Sequence, residues 1–255
     1  MRNYLILDGV DSRDFGVYIS GQGTFSAPSK AYSYQDVPGR NGAYIRSDKR
    51  FDNIEVTYPA FIYANFKTNI SNFRNFLLSR EGYVRLEDTY NTDEFRLASY
   101  TGAFEPDVTS INDAGRFDIV FNCMPQRFLK SGETERTGSP ALLNNPTSFP
   151  AKPILKLTFS EEIELNIINL SGSQTIDDYR ITSSGLQTEG LTSATIDCET
   201  MQAYSGSRNI NKYISVTSVS GRYTVDFPVF RPFADTLLRT YSNTSWSVVP
   251  RWWKL

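Results

Sequence analysis

Four acidic doublets, Glu87-Asp88, Asp93-Glu94, Glu161-Glu162 and Asp177-Asp178, come nearest to catalytic groups by type and spacing. Paired carboxylates can cleave a glycosidic bond, one as acid and the other as base or nucleophile. That chemistry needs both groups to converge on one bond. Adjacent residues of a strand point to opposite faces, so each doublet divides its charge between two surfaces. Solvated loop or edge charges explain these doublets better. The chain has no histidine. Ser-His-Asp and Cys-His nucleophiles, histidine acid–base catalysis and His-ligated zinc are thereby removed. Neither G-x-x-x-x-G-K-S/T nor G-x-G-x-x-G follows a strand, so no phosphate cradle is evident. Carboxylate and lysine chemistry remain open. No catalytic residue, cofactor site or metal site is assigned, and the expectation is a protein that is not an enzyme.

The two cysteines, Cys123 and Cys198, lie 75 positions apart and form no C-x-x-C motif. Each sits in an alternating strand pattern, which reads as a small buried apolar residue rather than a redox or zinc group. Lys+Arg number 26 and Asp+Glu 28, so a net charge of −2 provides no broad basic field for nucleic acid. No apolar run approaches the roughly 18 residues of a membrane span. The opening MRNYLILDGVDSRDFG has an apolar stretch too short for a secretory leader. The expectation is a soluble chain without export.

Strands must position whatever this chain presents. Its 17 Phe and 15 Tyr suit pleated, half-buried surfaces. Ile54, Val56, Tyr58, Ala60 and Ile62 share one face of a long run, and Phe117, Ile119, Phe121 and Cys123 alternate likewise. One segment has helical spacing: Ile70, Phe73 and Leu77, with Phe76, predict a helix over 70–80, capped by Thr68 or Asn69 and stopped near Gly82. Residues 131–152 are rich in Pro, Gly, Ser and Asn and read as a linker. It separates a first domain, 1–130, from a strand-rich second domain, 153–255, with strands expected at 154–159, 163–169, 179–182, 194–199, 214–218 and 223–227. PFADTLLRTYSN fits a helix or a strand, and Asn243 and Ser245 favour a strand over 236–241 followed by a hairpin break. In SWSVVPRWWKL, Trp246, Val248, Pro250 and Trp252 point one way and Trp253 the other beside Arg251. The first face is assigned to the core. Trp253, with Arg251, is expected to contact the first domain or the linker. A bulge at Pro250 that buries both terminal tryptophans is the alternative.

DSRDFGVYI, APSKAYSYQDVPGRNG, LLSREGYVRLEDTY, DEFRLASYTG and GRFDIVFNCMPQRFLKSGE occur in this order and spacing. Together they resemble the distal tail protein (Dit) family of siphophages. NNPTSFPAKPILKL, TIDCETMQAY and the terminal PRWWKL resemble the second domain of its shorter members. The resemblance spans nearly the whole chain. PFADTLL departs from it, standing where the family carries a Gly-Asn turn.

The resemblance implies a mainly β protein: an N-terminal β-sandwich with one α-helix and an extended β-hairpin, then a C-terminal galectin-like β-sandwich. It implies a virion structural protein at the distal end of the tail, made in the host cytoplasm. Six copies would form a homo-hexamer joining the tail tube protein to the tail hub or tail-associated protein. DNA would pass through without specific binding. Tape measure protein and baseplate or receptor-binding proteins are further implied partners, and no membrane is involved. A lectin-like carbohydrate- or receptor-binding module of the tail tip is the alternative, and a tail-associated wall hydrolase a more distant one. Galectin-type sugar contacts need a histidine strand motif and a tryptophan followed three residues later by glutamate. Trp246, Trp252 and Trp253 lack that glutamate. Within a ring, the stiff turn Pro38, Gly39, Arg40, Asn41, Gly42 is the candidate interface. Arg40 would dock its planar fork on a neighbour's carboxylates or carbonyls. The alternative is that Arg40 satisfies carbonyls of its own domain.

Overall fold

The computed structural model describes residues 2–21, 23–100, 102, 106–109, 113–138, 141–218, 226–241 and 243–255. The chain forms two compact units, Met1–Arg127 with Leu255, and Phe128–Lys254. Each is mainly antiparallel β.

In the first unit, one sheet runs in the order Val10–Asp11, Leu5–Leu7, Val84–Asp88, Glu94–Ser99, Ala114–Leu129, Ile54–Ile62, Tyr18–Ile19. The two alternating runs of the sequence are direct neighbours. Phe117 pairs with Ala60, Ile119 with Tyr58, Phe121 with Val56 and Cys123 with Ile54. All eight side chains are buried in one cluster. A one-residue slip would turn this whole set to solvent, so burial fixes the register. The helix, Phe66–Leu78, adds Phe66, Phe73 and Leu77 to that cluster. It starts earlier than the expected residue 70 because its cap comes from elsewhere in the chain. The Phe66 N–H donates to the Asp113 carbonyl at 3.2 Å and to its side chain at 3.1 Å. Asn69 instead turns back, donating from Nδ2 to the Ala64 carbonyl. Gly82 does adopt positive φ, 70°, but the helix has already ended at Ser79, whose hydroxyl donates to the Phe76 carbonyl. Among the described residues, no helix is long and apolar enough to cross a membrane.

The second unit is a pair of sheets. Six strands run Arg136–Thr137, Thr244–Val249, Ile154–Phe159, Ser193–Asp197, Gln202–Ser205, Arg208–Asn209. Five run Ala141–Asn144, Asp235–Thr240, Glu164–Ser171, Gln174–Ser183, Ile214–Thr217. Leu155, Leu157, Ile196, Trp246 and Val248 from the first sheet and Leu165, Ile167, Ile181 and Leu238 from the second share one buried cluster. The two sheets therefore pack face to face as a sandwich. The ambiguous segment is a strand, Asp235–Thr240. The strand expected over 223–227 falls mainly outside the described residues.

The segment 131–152, read as linker, differs from that expectation. It supplies an edge strand to each sheet of the second unit, Arg136–Thr137 beside Thr244–Val249 and Ala141–Asn144 beside Asp235–Thr240. Asn145 is fully buried and donates to the carbonyls of Phe149 and Phe230 while accepting from Thr147. Phe230 and the two paired strands are distant in sequence, so composition alone could not reveal them. Gly132 fits closely against the backbone of Trp252: a Cβ there would lie 2.4 Å from the Trp252 nitrogen. Gly132→Ala is expected to destabilise the second unit by about 1–3 kcal/mol through forced backbone movement. The shift of its denaturation midpoint is the check, and an unchanged midpoint would show that the contact relaxes freely.

Candidate interaction surface

Six of the eight carboxylates in the acidic doublets have partners within the fold. The Asp88 carboxylate accepts from the Tyr58 hydroxyl at 2.9 Å and from the backbone N–H of Tyr90 and Asn91, tying a turn to the sheet. Glu87 pairs with Arg85, and Glu94 lies 2.6 Å from Arg127. Glu162 accepts from the Ser183 hydroxyl and the Gly185 N–H. Asp177 binds Asn169 and Arg231, and Asp178 accepts from Ser218. Asp93 and Glu161 are exposed. Among the described residues no cluster of three His, Cys, Asp or Glu could hold a metal ion.

Both cysteines are free and buried. Desolvation raises the Cys123 pKa to about 11, and burial followed by the Asp197 charge raises that of Cys198. Thiolate is the reactive form. Neither thiol should therefore react with a maleimide at pH 8 until the chain unfolds, and stoichiometric labelling of the native protein would contradict this packing.

One element of the first unit stands outside its sheet. Among the described residues, Lys30–Gln35 and Tyr44–Phe51 pair only with each other, Tyr34 opposite Ile45 and Gln35 opposite Tyr44. The sequence pattern KAYSYQ resembles a half-buried strand, yet Tyr34 is 68% exposed, and Tyr44 and Ile45 are 56% exposed each. Tyr32, Val37 and Phe25 are exposed as well. These residues escaped the sequence reading because alternation reports a strand, not which of its faces is covered. A two-stranded hairpin alone is marginal in water, and its exposed aromatics make it the candidate interaction surface.

The turn joining its strands holds Pro38, Gly39, Arg40, Asn41 and Gly42. Its bend is closed by the Arg40 N–H donating to the Val37 carbonyl at 3.1 Å. Gly39 and Gly42 have φ of 77° and 83°, which only glycine adopts freely. The structure thus brings the five turn residues together on an exposed tip. Among the described residues the Arg40 guanidinium makes no hydrogen bond or ion pair.

Arg251 and Trp253 are placed apart from each other's contacts. Arg251 has φ of 60° and donates from both terminal nitrogens to Asp197, at 2.6 and 3.3 Å. Burial opposes charge on Asp197, but this guanidinium and the Glu199 N–H outweigh it and lower its pKa. Trp253 stacks on Phe149 at a centroid distance of 4.4 Å and donates from Nε1 to the Pro150 carbonyl. Phe149 and Pro150 belong to segment 131–152, within the second unit. The positive φ at Arg251 turns the chain, so Trp252 stays in the core while Trp253 meets this segment.

No family model matches the chain, and no curated protein matches it. Solved structures do. The crystal structure of the Dit protein of phage SPP1, described as a paradigm of the hub adsorption apparatus in phages infecting Gram-positive hosts, superposes with a TM-score of 0.66 at 14% identity, over 100% of both chains. Chains of the phage P2 baseplate in its activated conformation, with Ca and with Sr, match over 97% of each chain, at TM-scores of 0.44 and 0.43 and identities of 8% and 10%. The fold of this chain is that of the SPP1 Dit protein along its whole length.

Proposed function

We propose that this chain is a structural protein of a bacteriophage tail tip or baseplate. Six copies close into a ring that joins the tail tube to the distal hub, and DNA passes through the ring. The observation that carries this reading is the superposition on the SPP1 Dit protein, which leaves out neither unit of either chain. The exposed β-hairpin supports the ring. A head-to-tail assembly needs two unlike, complementary patches on each copy. The hairpin offers one: tyrosines on a strand pair and a cation on a stiff tip, residue types enriched at interface hot spots. The outer domain is of galectin-like type in this reading. Tail tube protein, hub protein and the tape measure and baseplate proteins are its partners.

Antibody raised against the chain and used to label intact phage should decorate the distal tail end. Label confined to the capsid, or absent from the virion, would overturn the role.

DNA transit calls for weak contact. A lining that neutralised several phosphates would bind steeply and stall ejection. With a net charge of −2, the purified protein is expected to bind duplex DNA no tighter than micromolar at physiological salt. A tighter dissociation constant would contradict free passage.

A further inference from the structure

One face of the five-stranded sheet turns away from the core of the second unit, and it is not uniformly polar. In Glu164–Ser171, Leu165 and Ile167 enter the core cluster, so Asn166 and Ile168 point to the opposite face. In Asp235–Thr240, Leu238 is core, and Leu237 and Arg239 point outward. Register then sets three apolar side chains in one row across three strands, Leu142 opposite Leu237 and Leu237 opposite Ile168. None of the three belongs to the core cluster. Leu142 is 61% exposed, and Leu237 and Ile168 are half-buried. Side chains directly opposite one another interact, so the row is one continuous patch. Exposed aromatics flank the strand Asp235–Thr240 in sequence, Phe233 before it and Tyr241 after it.

Phe233 is held out at a cost. Its φ is 50°, a left-handed conformation in which a bulky residue is an outlier and glycine is at ease. The residues around it are fixed: Phe230 and Ala234 are buried, and Arg231 binds Asp177 at 2.5 Å. Backbone strain of this kind persists where the surrounding structure enforces it, and it gathers at ligand clamps.

The next row of the same face is polar and incomplete. Asn166 lies opposite Arg239 on one side and Arg180 on the other. Arg180 is engaged by Glu164 at 2.7 Å. Arg239 is exposed and makes no hydrogen bond or ion pair among the described residues. Asn166 is only 7% exposed, yet its side-chain oxygen has no partner. An unpaired cation and an unpaired amide thus stand side by side along the apolar row.

We propose that this face docks an acidic amphipathic helix of another protein. The apolar stripe of the helix covers Leu142, Leu237 and Ile168, as helices cover sheets within domains. A carboxylate flanking that stripe pairs with Arg239. A single unpaired cation does not suit nucleic acid, whose binding rests on neutralising several phosphates. A second copy of this chain fits less well, since its α-helix Phe66–Leu78 carries Lys67 and Arg74 and no acidic residue. This inference stands on the second unit alone and does not need the ring.

The test is binding of the purified full-length chain to a fluorescent synthetic helix of about 18 residues, a leucine stripe flanked by glutamates. A counterpart with lysines in place of the glutamates is measured beside it. The acidic helix should bind at least tenfold tighter than the basic one. Arg239→Glu should reverse that preference, and Leu142→Ser should weaken the acidic helix several-fold. Both replace exposed side chains and should melt as the unaltered protein does. Lys152→Glu serves as control, since Lys152 pairs with Glu199 and is not part of this sheet, and it should bind normally. No binding at millimolar concentration, or equal binding of the two helices, would overturn the proposal. So would an unchanged preference in Arg239→Glu. A chain whose solution mass falls when Leu142 is replaced would overturn it too, because the occupant would then be a second copy.

Discussion

Trp252→Ala is expected to cost the second unit about 3–5 kcal/mol, the range of a large aromatic deleted from a packed core. Trp252 is 6% exposed, and its ring centroid lies 5.6 Å from that of Phe230. Its carbonyl accepts from the Leu129 N–H at 2.9 Å, and its backbone closes over Gly132. Calorimetry should show the transition of the second unit lowered by on the order of 10 °C or more. Trp253→Ala should behave differently although it is the next residue. Its indole covers Phe149 and holds the Pro150 carbonyl, so its loss should speed proteolysis within 131–152 while the melt moves little. Equal destabilisation by the two replacements would mean that the bend at Arg251 does not separate their roles.

Arg40→Ala is expected to weaken ring assembly and spare the fold. Arg40 is exposed, and its side chain has no partner among the described residues, so its removal takes nothing from the monomer core. Across an interface, truncating one member of a desolvated charge pair costs roughly 2–5 kcal/mol, and a ring repeats that loss at every contact. Unchanged melting with a shifted oligomer distribution, read by light scattering over a dilution series, is the expected result. If the melt falls by many degrees while assembly persists, Arg40 is a strut within its own unit.

Burial patterns with short periods were legible in the sequence. The buried faces of Ile54–Ile62 and of residues 117–123, though not their pairing, follow from simple alternation, and so does the inward face of Trp246, Val248 and Pro250. Long-range polar fastening was not legible. The helix begins at Phe66 because Asp113 caps it, and Asn145 fastens its own segment by reaching Phe230. Local composition is silent about such partners. The interaction surface was half legible: Pro38, Gly39, Arg40 and Gly42 announced a stiff cationic turn. The tyrosines beside it did not announce their exposure, since the same pattern serves a covered strand.

The central claim, a closed ring of six copies, is tested most directly by native mass measurement of the purified chain, alone and mixed with the tail tube protein of the same phage. A dominant species at six times the chain mass of 28.9 kDa, alone or templated by the tube protein, is the predicted result. A monomer under both conditions at tens of micromolar, or an open series of ever longer oligomers without closure, would contradict the ring.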